Sequence, residues 1–240
     1  MDSAERKSRL DEWAGRLDVS DRDVLAARLR ALRSVFPFNE FEFRLMYLLE
    51  HGVIDFAEYE ALRDTYSEAN VNLELYGLAP RIFGEIWEQH LRCIDSRLLK
   101  PSKASDPEYD GDYDLYLEEV ALSKLVRIEV KAARAIETNR IGNLVEKALT
   151  FSSSLPFWMN FQQIKLTIVD AFIFVGVWTD TICYWVLSNA DVEDHPDLSH
   201  QHRGGVEYQI GITDRNIRSF DEFLVQPSEI VDKIISKMAI

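Results

Sequence analysis

Between Ile168 and Leu187 lies the most apolar window of the chain, rich in β-branched and aromatic side chains and broken by Asp170 and Asp180. A membrane-spanning helix needs about 20 largely uncharged residues, and two carboxylates inside the window rule that reading out. Short apolar runs of this composition read as buried strands. The expectation is a strand from Ile168 to Trp178 paired with a second from Thr181 to Ser188. Strands so apolar need cover on their faces, and the rest of the chain has to provide it.

Helices are available on both sides of that window. Pro80 opens one over residues 80–98, in which Ile82, Phe83, Ile86, Trp87, Leu91, Ile94 and Leu98 recur at helical spacing. Ile141, Leu144, Val145, Ala148 and Leu149 mark another, ending before Ser152-Ser153-Ser154-Leu155-Pro156. A helix between strands points to a mixed sheet. A further strand is expected over Val206–Thr213 and a closing helix over residues 219–237. Residues 1–78 read as helical, with a stripe of Leu10, Trp13 and Leu17, a second of Val24, Leu25, Leu29 and Leu32, and caps at Asn39 and Asp55. The turn at His51-Gly52 invites a helix-turn-helix reading, but the helix after it carries Glu58, Glu60 and Asp64 against Arg63 and repels phosphate. The expected organisation is an α/β domain over residues 79–240, a central mixed sheet flanked by helices. An all-helical extension over 1–78 precedes it, suited to packing, dimerisation or DNA contact.

Chemistry concentrates in residues 108–136, EYDGDYDLYL followed by EEVALSKLVRIEVKAARAI. Two strand-like runs, Tyr113–Leu117 and Leu125–Ala132, are joined by a short acidic connection that can close a hairpin. Alternate residues of a strand share a face. Val126, Ile128, Val130 and Ala132 therefore form an apolar side, and Arg127, Glu129 and Lys131 a charged one. In the first run Asp114 alternates with Tyr113 and Leu115, so it can point to the side that carries Glu129 and Lys131. Two hard-oxygen ligands on adjacent strands suit Mg²⁺, with water and phosphate oxygens completing its shell. A lysine beside them can orient an attacking water and neutralise charge developing on phosphorus. A calcium loop is the competing reading of Asp110, Asp112 and Asp114. It fails because Leu115 stands where glycine is required and Ala121 where the bidentate glutamate belongs.

With Asp114 followed by Glu129-Val130-Lys131, this stretch resembles the PD-(D/E)xK nuclease superfamily, and within it the type II restriction endonucleases. Tyr113 stands where the family has proline, and Asp112 is a second candidate for the family aspartate. The resemblance implies a restriction-endonuclease-like fold with Asp114, Glu129 and Lys131 catalytic, and a Mg²⁺ site at Asp114, Glu129 and Val130. It also implies a glutamate from the preceding helix, best matched by Glu85 with Glu88 in reserve. Double-stranded DNA would be the substrate, cut to leave 5′-phosphate ends, with a homodimer on a palindromic site and a cognate DNA methyltransferase as functional partner. A repair or junction-resolving nuclease of the same superfamily, and a non-catalytic DNA-binding or interaction module, stand as alternatives.

The net charge of −14 weighs against phosphate binding, but it is unevenly spread. Residues 1–120 hold 26 of the 41 acidic side chains, whereas from Lys124 to Lys147 six basic residues face three acidic ones. An acidic protein can hold a basic cleft. Candidate DNA contacts are Arg134, Arg140, Asn160, Gln162, Gln163, Lys165, Gln201, His202 and Arg203, since Arg pairs with guanine and Asn or Gln with adenine. The N-terminus has no apolar signal segment, and Cys93 and Cys183 sit among apolar neighbours, so a cytoplasmic protein with reduced core cysteines is expected.

Overall fold

A computed structural model describes residues 3–31, 40–119, 124–200 and 207–239. The fold is mixed α/β, and it divides into two units. The division is not a single cut after residue 78, because residues 137–155 and 178–181 join the N-terminal residues 1–77 in one unit.

That first unit contains helices α1 (Ser3–Ala14), α2 (Val19–Ala31), α3 (Glu40–Glu50) and α4 (Phe56–Ala69). Its core gathers Leu10, Trp13, Leu17, Leu25, Leu45, Leu48, Ile54 and Leu62. The cap read at Asp55 forms: its carboxylate accepts from the Glu58 amide at 2.8 Å while Glu58 accepts from the Asp55 amide at 2.9 Å. Residues 178–181 belong here because Asn70 accepts from the Thr179 hydroxyl at 2.7 Å and Asn72 donates to the Trp178 carbonyl at 3.1 Å. The helix expected over Ile141–Leu149 does not form. Asn143 and Glu146 cap a single turn, but the Lys147 carbonyl accepts from Glu137 N–H and the Leu149 carbonyl from Thr179 N–H, so the segment is held by partners outside itself. Ile141, expected in its apolar stripe, is 97% exposed.

The second unit carries the candidate chemistry. Helix α5 (Pro80–Ile94) buries Phe83, Trp87 and Leu91, while Ile82 faces outward and Cys93, expected in a core, is exposed. Strands β1 (Leu115–Glu119), β2 (Lys124–Arg134), β5 (Ala171–Val177), β6 (Ile182–Ser188) and β9 (Leu224–Val225) form one sheet in the order β1-β2-β5-β6-β9. It is mixed, with β2 antiparallel to β1 and parallel to β5, and β5 antiparallel to β6. Every residue of β5 is buried, as its continuous apolar run requires. A second sheet of β3 (Ile136–Glu137), β4 (Phe157–Ile164), β7 (Leu198–His200) and β8 (Tyr208–Thr213) has the order β3-β4-β8-β7. The two sheets meet where Phe161 of β4 stacks on Phe174 of β5, their ring centres 4.6 Å apart. Short α6 (Asn189–Glu193) follows β6, and α7 (Ile230–Met238) closes the chain; the expected tail helix is split by a 3₁₀ turn over Ile217–Phe223 and by β9. Among the described residues no helix is long and apolar enough to cross a membrane.

Candidate active site

The β1–β2 ladder sets the site. Its register pairs Leu115 with Ile128 and Glu119 with Lys124, which places Asp114 one residue before the start of β1, opposite Glu129. The Asp114 amide still donates to the Ile128 carbonyl at 3.1 Å. Its side chain then continues what the backbone leaves off, Oδ2 accepting from the Val130 amide at 2.8 Å. Because the N–H and C=O of a strand residue point to the same side, the Val130 carbonyl is also directed toward Asp114.

Glu129 and Lys131, two apart on β2, meet with Nζ 2.5 Å from Oε1, and their side chains are 9% and 15% exposed. Their burial follows from the parallel register, in which Glu129 lies beside Phe172 and Lys131 beside Phe174, on the face that receives β4. The opposite face, with Val126 and Ile128 fully buried, lies under α5. Both faces of β2 are therefore covered, and the charged side expected to be open is partly sealed. Val130 and Ala132, expected in the core with Val126 and Ile128, are half-buried.

Electrostatics separate these groups. Burial first, and then the charge of Glu129, push the Asp114 carboxyl up to about 6, against the opposing pull of the Val130 amide, Lys131 and Lys100. Glu88 on α5 is also raised, by burial and then by Asp114. Lys100 Nζ lies 3.2 Å from its Oε2. The helix glutamate that senses the site is thus Glu88. Glu85, the expected one, turns outward to Arg81 at 2.7 Å, with side chains 57% and 88% exposed, because two residues from each of the buried Phe83 and Trp87 it lies on the far side of the helix.

Val130 N–H and Lys131 engage one oxygen of each carboxylate, leaving Oδ1 of Asp114 and Oε2 of Glu129 outside those contacts. Among the described residues there is no group of three or more His, Cys, Asp or Glu placed to hold a metal ion. Two carboxylates and a carbonyl nevertheless fit Mg²⁺, which takes few protein ligands and keeps water and phosphate oxygens for the rest.

A second charged cluster on the same face of β2 escaped the sequence reading. Arg127 donates through Nε and Nη2 to Asp106 at 3.2 and 2.9 Å, and the Tyr113 hydroxyl donates to the same oxygen at 2.9 Å. This brace fixes the loop that leads into Asp114. No local pattern announces it, because Asp106 and Arg127 are 21 residues apart in sequence.

The candidate DNA contacts scatter. Arg134 is taken by structure: its guanidinium lies 3.6 Å from the Phe83 ring centre and donates to the Leu78 carbonyl at 2.7 Å, so its place is in the packing of α5 on β2. Arg140 is exposed and belongs to the first unit. Asn160 points outward from β4, and Gln162 and Gln163 are exposed at a bulge where Gln163 has φ +58°. Lys165 is half-buried just after the strand. Gln201, His202 and Arg203 lie outside the described residues. No family model, curated protein or solved structure matches the chain.

Proposed function

We propose that this protein is a Mg²⁺-dependent endonuclease acting on double-stranded DNA, with a restriction-endonuclease-like arrangement of its mixed sheet. The observation that carries the reading is the placement of Asp114, Glu129 and Lys131 together, with Asp114 just ahead of the start of β1 and pushed up to about 6 beside a second carboxylate on β2. Carboxylates that repel one another at a strand end are poised for a cation. Asp114, Glu129 and the Val130 carbonyl would hold Mg²⁺, which supplies Lewis-acid stabilisation of phosphoryl charge and a water of lowered pKa. Lys131 stands by to orient the attacking water and to offset charge on the phosphate. Glu88 and Lys100 border the site and adjust its charge.

A second reading has its own observation, the close contact of Lys131 with Glu129 at 15% and 9% exposure. Such a pair also serves as a buried structural bridge in a non-catalytic binding module. Digestion decides between them. Incubating the full chain with a long plasmid in Mg²⁺ should give discrete fragments with 5′-phosphate ends, and chelation should stop it. Cutting confined to branched or damaged duplexes would move the assignment to a repair or junction-resolving nuclease, and no cutting of any duplex would favour the binding module. A homodimer and a companion methyltransferase belong to the restriction reading.

A further inference from the structure

We infer that the outward face of the second sheet holds a binding site for a single nucleobase taken out of its stack, centred on Trp158. Trp158 and Asn160 of β4 lie opposite Thr213 and Gly211 of β8 on the side turned away from the buried Met159, Ile210 and Ile212. A Cβ at Gly211 would come within 2.5 Å of the Trp158 ring, so the indole lies flat against the sheet over the one residue type that admits it. Trp158 is 39% exposed, and an indole pressed onto a sheet presents its other face to solvent as a stacking platform.

Beside it opens a concavity of about 310 Å³ lined by Trp158, Asn160, Gln209, Gly211, Asp197 and Arg215, among others. Its size is at the small end of ligand pockets, room for one planar heterocycle. The polar lining suits the edge of a base. The amides of Asn160 and Gln209 meet at a long 3.4 Å, and Asn160 Oδ1 is buried with no hydrogen-bond partner. Donor and acceptor capacity on both side chains is therefore open to a better partner. Asp197 in the lining disfavours a phosphate within the pocket itself, and Arg215 offers a positive charge for the backbone that carries the base. A neutral, flat, hydrogen-bonding ligand attached to an anion matches all four features.

The inference rests on the nucleic-acid reading above but not on its chemistry, because the site shares no residue with Asp114, Glu129 and Lys131. The test exploits the tryptophans: Trp13, Trp87, Trp178 and Trp185 are exposed by 5% or less, so quenching by a stacked base reports Trp158. Single-stranded deoxyoligonucleotides in metal-free buffer at low salt should quench fluorescence saturably. Trp158→Ala should remove the quench and weaken binding about tenfold, the effect of losing one stacked base. Trp158→Phe should retain part of the affinity, and Asn160→Ala should weaken binding while leaving the quench at saturation. Absence of quenching, equal affinity of Trp158→Ala and the parent, or quenching by neutral oligosaccharides in place of the oligonucleotides would overturn the proposal. Failure of plasmid digestion would leave this measurement standing, and failure of quenching would leave digestion standing, so the two readings fall separately.

Discussion

Asp106 and Asp114 approach the same strand and are treated in opposite ways. Asp106 is 7% exposed and held below the usual carboxylate range, first by the Tyr113 hydroxyl and then by the Glu108 amide and Arg127. Asp114, half-buried a few residues further on, has one amide and a neighbouring like charge, and is pushed up to about 6. The first cluster is complete, with its carboxylate compensated by a guanidinium that also lies over the Tyr113 ring. The second is incomplete: around it Glu88, Asp114 and Glu129 stand against Lys100 and Lys131. A charge compensated on every side belongs to the scaffold, whereas one left short of positive charge at the end of a strand is a place where a cation or substrate gains binding energy. Tyr113 itself, its phenol pushed up to about 12 by burial and then by Asp106, joins the two clusters by holding the chain that delivers Asp114.

Replacing Lys131 should separate catalysis from cation binding by the widest margin. Lys131→Met is expected to lose cleavage by a thousandfold or more, equivalent to at least about 4 kcal/mol of transition-state stabilisation. Because it strands a buried Glu129, it should also cost about 3 kcal/mol of stability, which added Mg²⁺ or Ca²⁺ should partly restore. Denaturant melts with and without cation measure both; a loss of stability that no cation restores would make Lys131 a structural partner, as Arg127 is to Asp106.

The two aspartates should then give stability changes of opposite sign. Asp114 has a raised folded pKa, so its contribution is fully present below about 3.8 and is lost as pH rises through about 6. Asp114→Asn should therefore be more stable than the parent at pH 7, by on the order of 2 kcal/mol after allowance for solvent screening, while inactive. Asp106 has a lowered pKa, so its contribution is present above the usual carboxylate value and lost as pH falls. Asp106→Asn should be less stable at pH 7, with the difference shrinking in acid. Thermal melts from pH 3 to 8 check both, and the same sign for the two variants would dissolve the distinction.

The smallest effect expected is on α5. Glu88→Gln should change the cleavage rate about tenfold, through its effect on Asp114, whereas Glu85→Gln should leave it unchanged because Glu85 pairs with Arg81 at the surface. Single-turnover rates at saturating Mg²⁺ read the difference. Equal effects of the two substitutions would mean that Glu88 is not coupled to the site.

Much of this was legible in the chain because it is local. The alternation of Val126, Ile128, Glu129 and Lys131, the run of β5 and the helical stripe of α5 each follow from the period of one element. What escaped depends on distant segments. Residues 141–149 have helical spacing, but Glu137 and Thr179 take their carbonyls. Glu85 and Glu88 are indistinguishable in sequence until α5 is set against β2 and only one faces Asp114. Arg134 looks like a phosphate contact until Phe83 is brought under it. The second sheet went unread at β4, where Trp158, Asn160 and Gln162 alternate with Met159 and Phe161, a period-2 signal hidden by the bulge at Gln163.

The most direct measurement is the rate of duplex cleavage by Glu129→Gln in Mg²⁺, paired with its binding to the same duplex in Ca²⁺. Glutamine keeps the volume and one carbonyl oxygen of the side chain and removes a single negative charge from the pair that would hold the cation. The rate should fall a thousandfold or more. Duplex affinity should be unchanged or improved, because repulsion toward phosphate falls. Cleavage at close to the parental rate would contradict it, and would return Glu129 and Lys131 to the role of a structural pair like Asp106 and Arg127.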